Sequence, residues 1–126
     1  MSYCKIFVNI GYNIDNFVKN IINEFDISEQ SKPASTHYIV THELNISVFN
    51  NKEHGLQKMN DPLDGFLFYP IILDVESANA KEIYEMSASE QNIYLNAVLN
   101  LVKFLRRISL NVVPACDFED YLNSSE

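Results

Sequence analysis

Apolar residues recur at helical spacing in two segments of the chain. In the first, they follow Asn13 in the i, i+3, i+4, i+7 order of a one-faced amphipathic helix, and the Asn13 side chain can cap its start. The members of that stripe are Ile14, Phe17, Val18, Ile21, Ile22 and Phe25. In the second, Ser87 and Glu90 have capping-box spacing and open a helix that extends to about residue 108. A third, short helix is predicted over residues 118–122.

Alternating or continuous apolar positions predict four strands. The first covers residues 3–10 and the last covers Asn111–Ala115. Residues 36–49 are β-like throughout, and we favour one bent or bulged strand over two short ones because no Gly or Pro interrupts them. Residues 66–75 are apolar on both faces, which predicts the central strand of the core, with a bulge at Pro70. The polar segments predicted as loops are 26–35 and 50–64.

The predicted element order is β-α-β-β-α-β, followed by the short C-terminal helix. This order matches the ferredoxin-like arrangement, so we expect a single α+β domain over residues 1–126 with a four-stranded antiparallel sheet and both long helices on one face. The first and last strands are neighbours in that arrangement, which places Cys4 and Cys116 close together. Residues 123–126 are expected to form a flexible tail.

The charge of the chain is strongly acidic and unevenly spread. The formal net charge is −8, and the acidic side chains concentrate between residues 61 and 90 and again from residue 117 onwards. An acidic surface repels phosphate groups, which argues against binding to nucleic acid or to an anionic membrane. It suits a basic protein partner, whose approach it would steer, although acidity also serves solubility alone.

The sequence predicts a cytoplasmic protein. No signal peptide is expected, because the chain leads directly into a strand, and no apolar run is long enough for a membrane span. The two cysteines, Cys4 and Cys116, do not make a disulfide framework. Asp117 and Glu119 lie beside Cys116 and would raise its pKa, so we expect both cysteines to be buried apolar groups rather than reactive thiols.

Catalytic motifs are lacking in this sequence. It has no phosphate-binding Gly-rich loop and no nucleophile elbow, and its three histidines do not have metal-ligand spacing. The remaining candidates are the carboxylate pairs Asp74 with Glu76 and Asp117 with Glu119. Such pairs can perform acid–base chemistry, hold a hard cation, form a solvated rim or dock a basic protein. We therefore predict neither an enzyme nor a cofactor or metal site.

Three segments together resemble bacterial immunity proteins of contact-dependent growth inhibition and related polymorphic toxin systems. They are LNISVFN at 44–50, DGFLFYPIILDVE at 64–76, and the long helix with the VVPACDFED segment at 112–120 that follows it. The resemblance implies a protein that binds the C-terminal toxin domain delivered by a neighbouring cell and covers its active or functional surface. Many such toxins are nucleases and hence basic, which suits the acidic charge. The resemblance implies a role and not a binding site.

The contact surface is predicted from acidic side chains in loops and at strand ends, with two tyrosines as apolar anchors. Its members are Asp61, Asp64, Tyr69, Asp74, Glu76, Glu82, Tyr84, Glu85, Glu119 and Asp120. Two other hypotheses remain open. One is a ferredoxin-like module that binds a small ligand or forms a homodimer for regulation. The other is a small hydrolase or metal-dependent enzyme that uses the carboxylate pairs.

Overall fold

A computed structural model describes residues 3–124 of the chain. The described part contains three α-helices and six strands. In chain order these are β1 (Tyr3–Asn9), α1 (Ile14–Glu24), β2 (Ile27–Ser31), β3 (His37–Thr41), β4 (Leu44–Asn50), β5 (Ile71–Ser77), α2 (Ala88–Ile108), β6 (Asn111–Ala115) and α3 (Glu119–Ser124). The predicted flexible tail begins within α3, and its last residues, 125 and 126, lie outside the described part.

The strands form one antiparallel sheet in the order β2-β3-β4-β5-β1-β6. The prediction of a four-stranded, ferredoxin-like sheet is therefore wrong. Two strands had been missed: β2 lies in a segment predicted as a loop, and residues 36–49 fold into two strands rather than one. The prediction that the first and last strands are neighbours is confirmed, because β1 pairs with both β5 and β6.

A tight turn at residues 42–43 separates β3 from β4 without any Gly or Pro. The side chain of Thr41 stabilises this turn instead. Its Oγ1 accepts hydrogen bonds from the backbone N–H groups of Glu43 at 3.3 Å and Leu44 at 3.0 Å. A threonine hydroxyl that satisfies turn N–H groups in this way allows the chain to reverse without a special backbone conformation. The bent single strand that we favoured for this segment is thus a hairpin.

The predicted central strand is also shorter at its start and longer at its end than its apolar run suggests. Residues Gly65–Phe68 form a 3-10 turn, and the strand proper is Ile71–Ser77. Pro70 precedes the strand instead of interrupting it, so the predicted bulge does not form there.

The buried side chain of Asn51 helps to hold this irregular segment in place. The Asn51 side-chain amide donates to the carbonyl oxygens of Leu67 at 2.9 Å and Tyr69 at 2.8 Å, while the Asn51 backbone N–H donates to the Pro70 carbonyl at 2.8 Å. These bonds satisfy carbonyl groups that a strand would have paired with a neighbouring strand.

Both predicted helix starts are confirmed. The Asn13 side chain accepts from the N–H of Asn16 at 2.9 Å, and α1 begins at Ile14. Ser87 and Glu90 form a reciprocal capping box, with each side chain accepting from the other's backbone N–H, at the start of α2. These contacts satisfy N–H groups that lack a partner in the first helical turn.

Both long helices pack on one side of the sheet. The core between them and the sheet contains fully buried side chains such as Ile6 in β1, Leu73 in β5, Phe17 in α1 and Leu105 in α2. Phe25, just after α1, meets Phe104 of α2 edge to face with ring centroids 5.4 Å apart. We call the side of the sheet on which α1 and α2 pack the helix side, and the opposite side the open face.

Candidate functional site on the open sheet face

The open face consists of two halves with different chemistry. Along β5, Ile71, Leu73 and Val75 belong to the core on the helix side, so the alternate residues Ile72, Asp74 and Glu76 face the other way. The end of β5 that carries Ile72 is apolar, and the end that carries Asp74 and Glu76 is polar.

The loop of residues 51–70 covers the apolar half. Phe66 from this loop packs on Phe7 of β1, edge to face, with ring centroids 5.3 Å apart. Phe7 is opposite Ile72 in the β1–β5 register, and Phe49 of β4 flanks Ile72 on its other side. The loop therefore acts as a second small layer, and it leaves the polar half of the open face partly exposed.

Four side chains from β4 and β5 line a cleft of about 270 Å³ in the polar half. They are Asn45, Ser47, Asp74 and Glu76, and we call this site the acidic cleft. The strand register places Ser47 beside Asp74 and Asn45 beside Glu76, with Lys5 of β1 opposite Asp74 on its other side. All five side chains are partly exposed.

Neighbouring positive charge offsets the cost of burying the Asp74 carboxylate only in part. Its Oδ1 is shielded from solvent and has no hydrogen-bond partner among the described residues. Burial raises the pKa of Asp74, and the nearby Lys5 ammonium opposes that shift only in part. Because burial disfavours the charged form, a cationic group that approached the acidic cleft would stabilise the Asp74 carboxylate.

Three of the predicted contact residues lie on the covering loop, on the same side of the sheet as the acidic cleft. Asp61 and Asp64 are exposed, and Tyr69 is partly buried at the end of the loop. The Asp61 carboxylate accepts from the N–H groups of Leu63 at 2.8 Å and Asp64 at 3.1 Å, and these bonds lower the pKa of Asp61. The Asp61 carboxylate thus stabilises the loop conformation, and it is also exposed to solvent.

Three other predicted residues lie in the connection between β5 and α2. Glu82 and Glu85 form a capping box around the 3-10 turn Ile83–Glu85, in which the Glu82 N–H donates to Glu85 at 3.0 Å. Ile83 packs against the core on the helix side, while Tyr84 is 80% exposed.

The last two predicted residues, Glu119 and Asp120, lie in the first turn of α3. This short helix packs on α2, where Tyr121 donates to the Asn96 side chain at 2.8 Å. It therefore lies on the helix side, opposite the acidic cleft. The ten predicted residues do not form one continuous surface: Asp61, Asp64, Tyr69, Asp74 and Glu76 share one side of the sheet.

Three residues of the site, Lys5, Asn45 and Ser47, are not among those predicted from the sequence. A signal for the last two existed, because apolar Leu44, Ile46 and Val48 alternate with them and so predict that they face away from the core. Their position beside Asp74 and Glu76 depends on the strand register, which local sequence does not supply.

No protein-family model, curated protein or solved structure matches the chain.

Over residues 3–124, no group of three or more His, Cys, Asp or Glu side chains is arranged to hold a metal ion. None of the helices in that range is long and apolar enough to cross a membrane.

Proposed function

We propose that this protein is a cytoplasmic immunity protein that binds and neutralises a cognate toxin domain without performing catalysis. The observation that carries the proposal is the acidic cleft on the open face, with the under-compensated Asp74 carboxylate beside Glu76. The resemblance of segments 44–50, 64–76 and 112–120 to immunity proteins supplies the identity of the partner class. The first two of these segments contribute all four side chains that line the cleft.

The open face combines charge with apolar anchors, as a protein-binding surface requires. Tyr38 of β3 is opposite Ser47 in the strand register, so it shares the face of the acidic cleft, and it is 43% exposed. Leu67 of the covering loop is 40% exposed. Partly exposed apolar side chains supply affinity when a partner covers them, and the surrounding charges supply orientation and association rate.

The proposed partner is a basic toxin domain, such as a nuclease. A nuclease carries positive charge where it holds the phosphate backbone. An acidic protein with net charge −8 can occupy that region and exclude the nucleic acid. The alternative of a ligand-binding or dimerisation module rested on the ferredoxin-like sheet, which is wrong, and we do not propose it.

The experiment that tests this function uses the toxin domain encoded beside the gene for this protein. The two purified proteins should form a complex with an affinity in the nanomolar range, measured by calorimetry. Co-expression should also restore the growth of cells that express the toxin domain. Failure to form a complex, together with failure to protect cells, would rule out the immunity role.

A further inference from the structure

The pairing of β1 with β6 places two thiols in a defined relation. Ile6 is opposite Pro114, and Lys5 is opposite Ala115. Proline has no N–H group, so Ile6 and Pro114 must form a non-hydrogen-bonded pair. Because the two kinds of pair alternate along an antiparallel ladder, the next non-hydrogen-bonded position joins Cys4 to Cys116, just beyond the last pair.

Non-hydrogen-bonded positions bring side chains closest together. Their Cα atoms are separated by about 4.5 Å in antiparallel sheets, which falls within the range of about 4.4–6.8 Å that disulfides span. Each thiol shifts the pKa of the other, which agrees with the strand register in placing the two sulfur atoms near each other. Cys4 is fully buried, and Cys116 is partly exposed.

We propose that Cys4 and Cys116 are a redox-active pair that forms an intramolecular disulfide by exchange with a small-molecule disulfide such as oxidised glutathione. The Cys116 thiolate attacks one sulfur of glutathione disulfide, and one glutathione thiolate leaves. Cys4 then attacks the Cys116 sulfur and releases the second glutathione, whose sulfur takes up the proton that Cys4 loses. Two protein thiols are oxidised, and one glutathione disulfide is reduced to two thiols.

The environments of the two thiols fit these roles. The neighbouring Cys4 thiol lowers the pKa of Cys116, against the opposing effect of Glu119 and Asp117. The two carboxylates do raise the pKa of Cys116, as the sequence predicts, but the net shift is downward because other contributions outweigh them. The neighbouring Cys116 and burial raise the pKa of Cys4, so Cys116 is the thiol that attacks first.

The disulfide would join the two ends of the chain. It closes a loop of more than one hundred residues between β1 and the segment that connects β6 to α3. Cross-linking so long a loop restricts the unfolded chain strongly. We therefore expect the oxidised protein to melt about 5–10 °C higher than the reduced protein.

The test treats the folded full-length protein with oxidised glutathione. Intact-mass measurement should show the loss of two hydrogen atoms, and peptide mapping should identify a Cys4–Cys116 link. The link should form at least about tenfold faster in the folded protein than in urea, since folding holds the thiols together. Dithiothreitol should reverse both the link and the rise in melting temperature.

Two variants make the outcome decisive. Cys4→Ala should halt the reaction at the first step, so that Cys116 stays linked to one glutathione. Cys116→Ser should leave Cys4 unmodified, because Cys4 is buried. A stable glutathione adduct on the parent protein, a disulfide-linked dimer, or a lower melting temperature after oxidation would each overturn the proposal.

Discussion

At the scale of single residues, the space around Gly65 determines which side chain is tolerated. A Cβ at this position would clash with the carbonyl oxygen of Met59, and backbone atoms cannot move aside as a flexible side chain can. Gly65 also donates its N–H to the Asp61 carbonyl at 3.0 Å. The covering loop therefore depends on a glycine for close approach.

We predict that Gly65→Ala destabilises the protein by about 1–3 kcal/mol, the usual cost of inserting an atom into a packed site. The matched control is Gly11→Ala, because a Cβ at Gly11 would have nothing within 4 Å. The measurement is the free energy of unfolding in urea. Equal stabilities of the two variants would contradict the close contact with Met59.

Asp74 predicts a dependence of stability on pH. Burial raises its pKa in the folded protein above the value in the unfolded chain. As the pH rises through the interval between these two values, the unfolded chain loses its proton first, so the folded state loses stability. The loss is complete above the folded-state pKa, and it persists at neutral pH.

Asp74→Asn removes this ionisation, so the variant should be more stable than the parent protein at neutral pH. The gain should be at most about 1 kcal/mol, since solvent screens this partly exposed carboxylate. At a pH below the unfolded-state value, both proteins carry a neutral side chain and their stabilities should converge. Urea unfolding at several pH values measures the difference, and a variant that is less stable at every pH would refute this account of Asp74.

At the scale of elements, the hairpin of β3 and β4 depends on Thr41. This side chain is buried, and its hydroxyl satisfies two N–H groups of the turn. We predict that Thr41→Val costs about 1–3 kcal/mol, because the N–H of Leu44 is left buried without a partner. Thr41→Ser keeps the hydroxyl and should retain most of the stability.

Urea unfolding and hydrogen exchange at the amide of Leu44 check this prediction. Exchange at Leu44 should be faster in Thr41→Val and close to the parent rate in Thr41→Ser. If Val and Ser variants exchanged alike, the turn would depend on something other than the hydroxyl.

Elements with a strong local signal were predicted, and elements without one were not. The starts of α1 and α2 could be predicted from Asn13 and Ser87, because a helix cap depends on residues within one helical turn. In β2, by contrast, Ile27 is the single apolar residue and residues 28–31 are exposed, so no alternation was visible. Residues 66–70 precede β5 and include Phe66, which packs on the open face. From the sequence alone, an apolar segment that covers a sheet cannot be distinguished from an apolar strand.

At the scale of the whole molecule, the acidic residues are divided between two sides of one sheet. The α+β class could be predicted, since it requires only that helices and strands both be recognised. The pairing of the first and last strands was also predicted, although from a ferredoxin-like arrangement that is wrong. The division of charge could not be predicted, because it depends on how each strand is placed against its neighbour. Asp74 and Glu76 lie on the open face, whereas Glu119 and Asp120 lie on the helix side with α3.

This division allows local steering to be separated from net charge in the proposed complex with a basic toxin domain. Glu76→Lys and Asp120→Lys change the net charge equally, but on opposite sides of the sheet. If the open face is the docking surface, Glu76→Lys should lower the association rate about two- to tenfold at low salt and weaken its dependence on ionic strength. Asp120→Lys should have a clearly smaller effect.

Stopped-flow mixing at several salt concentrations measures both rates. Extrapolation to high salt, where exposed charges are screened, should bring the variants back together if charge alone separates them. Equal slowing by both substitutions would mean that the total charge, and not the acidic cleft, attracts the partner. A larger effect of Asp120→Lys would move the docking surface to α3 and the helix side.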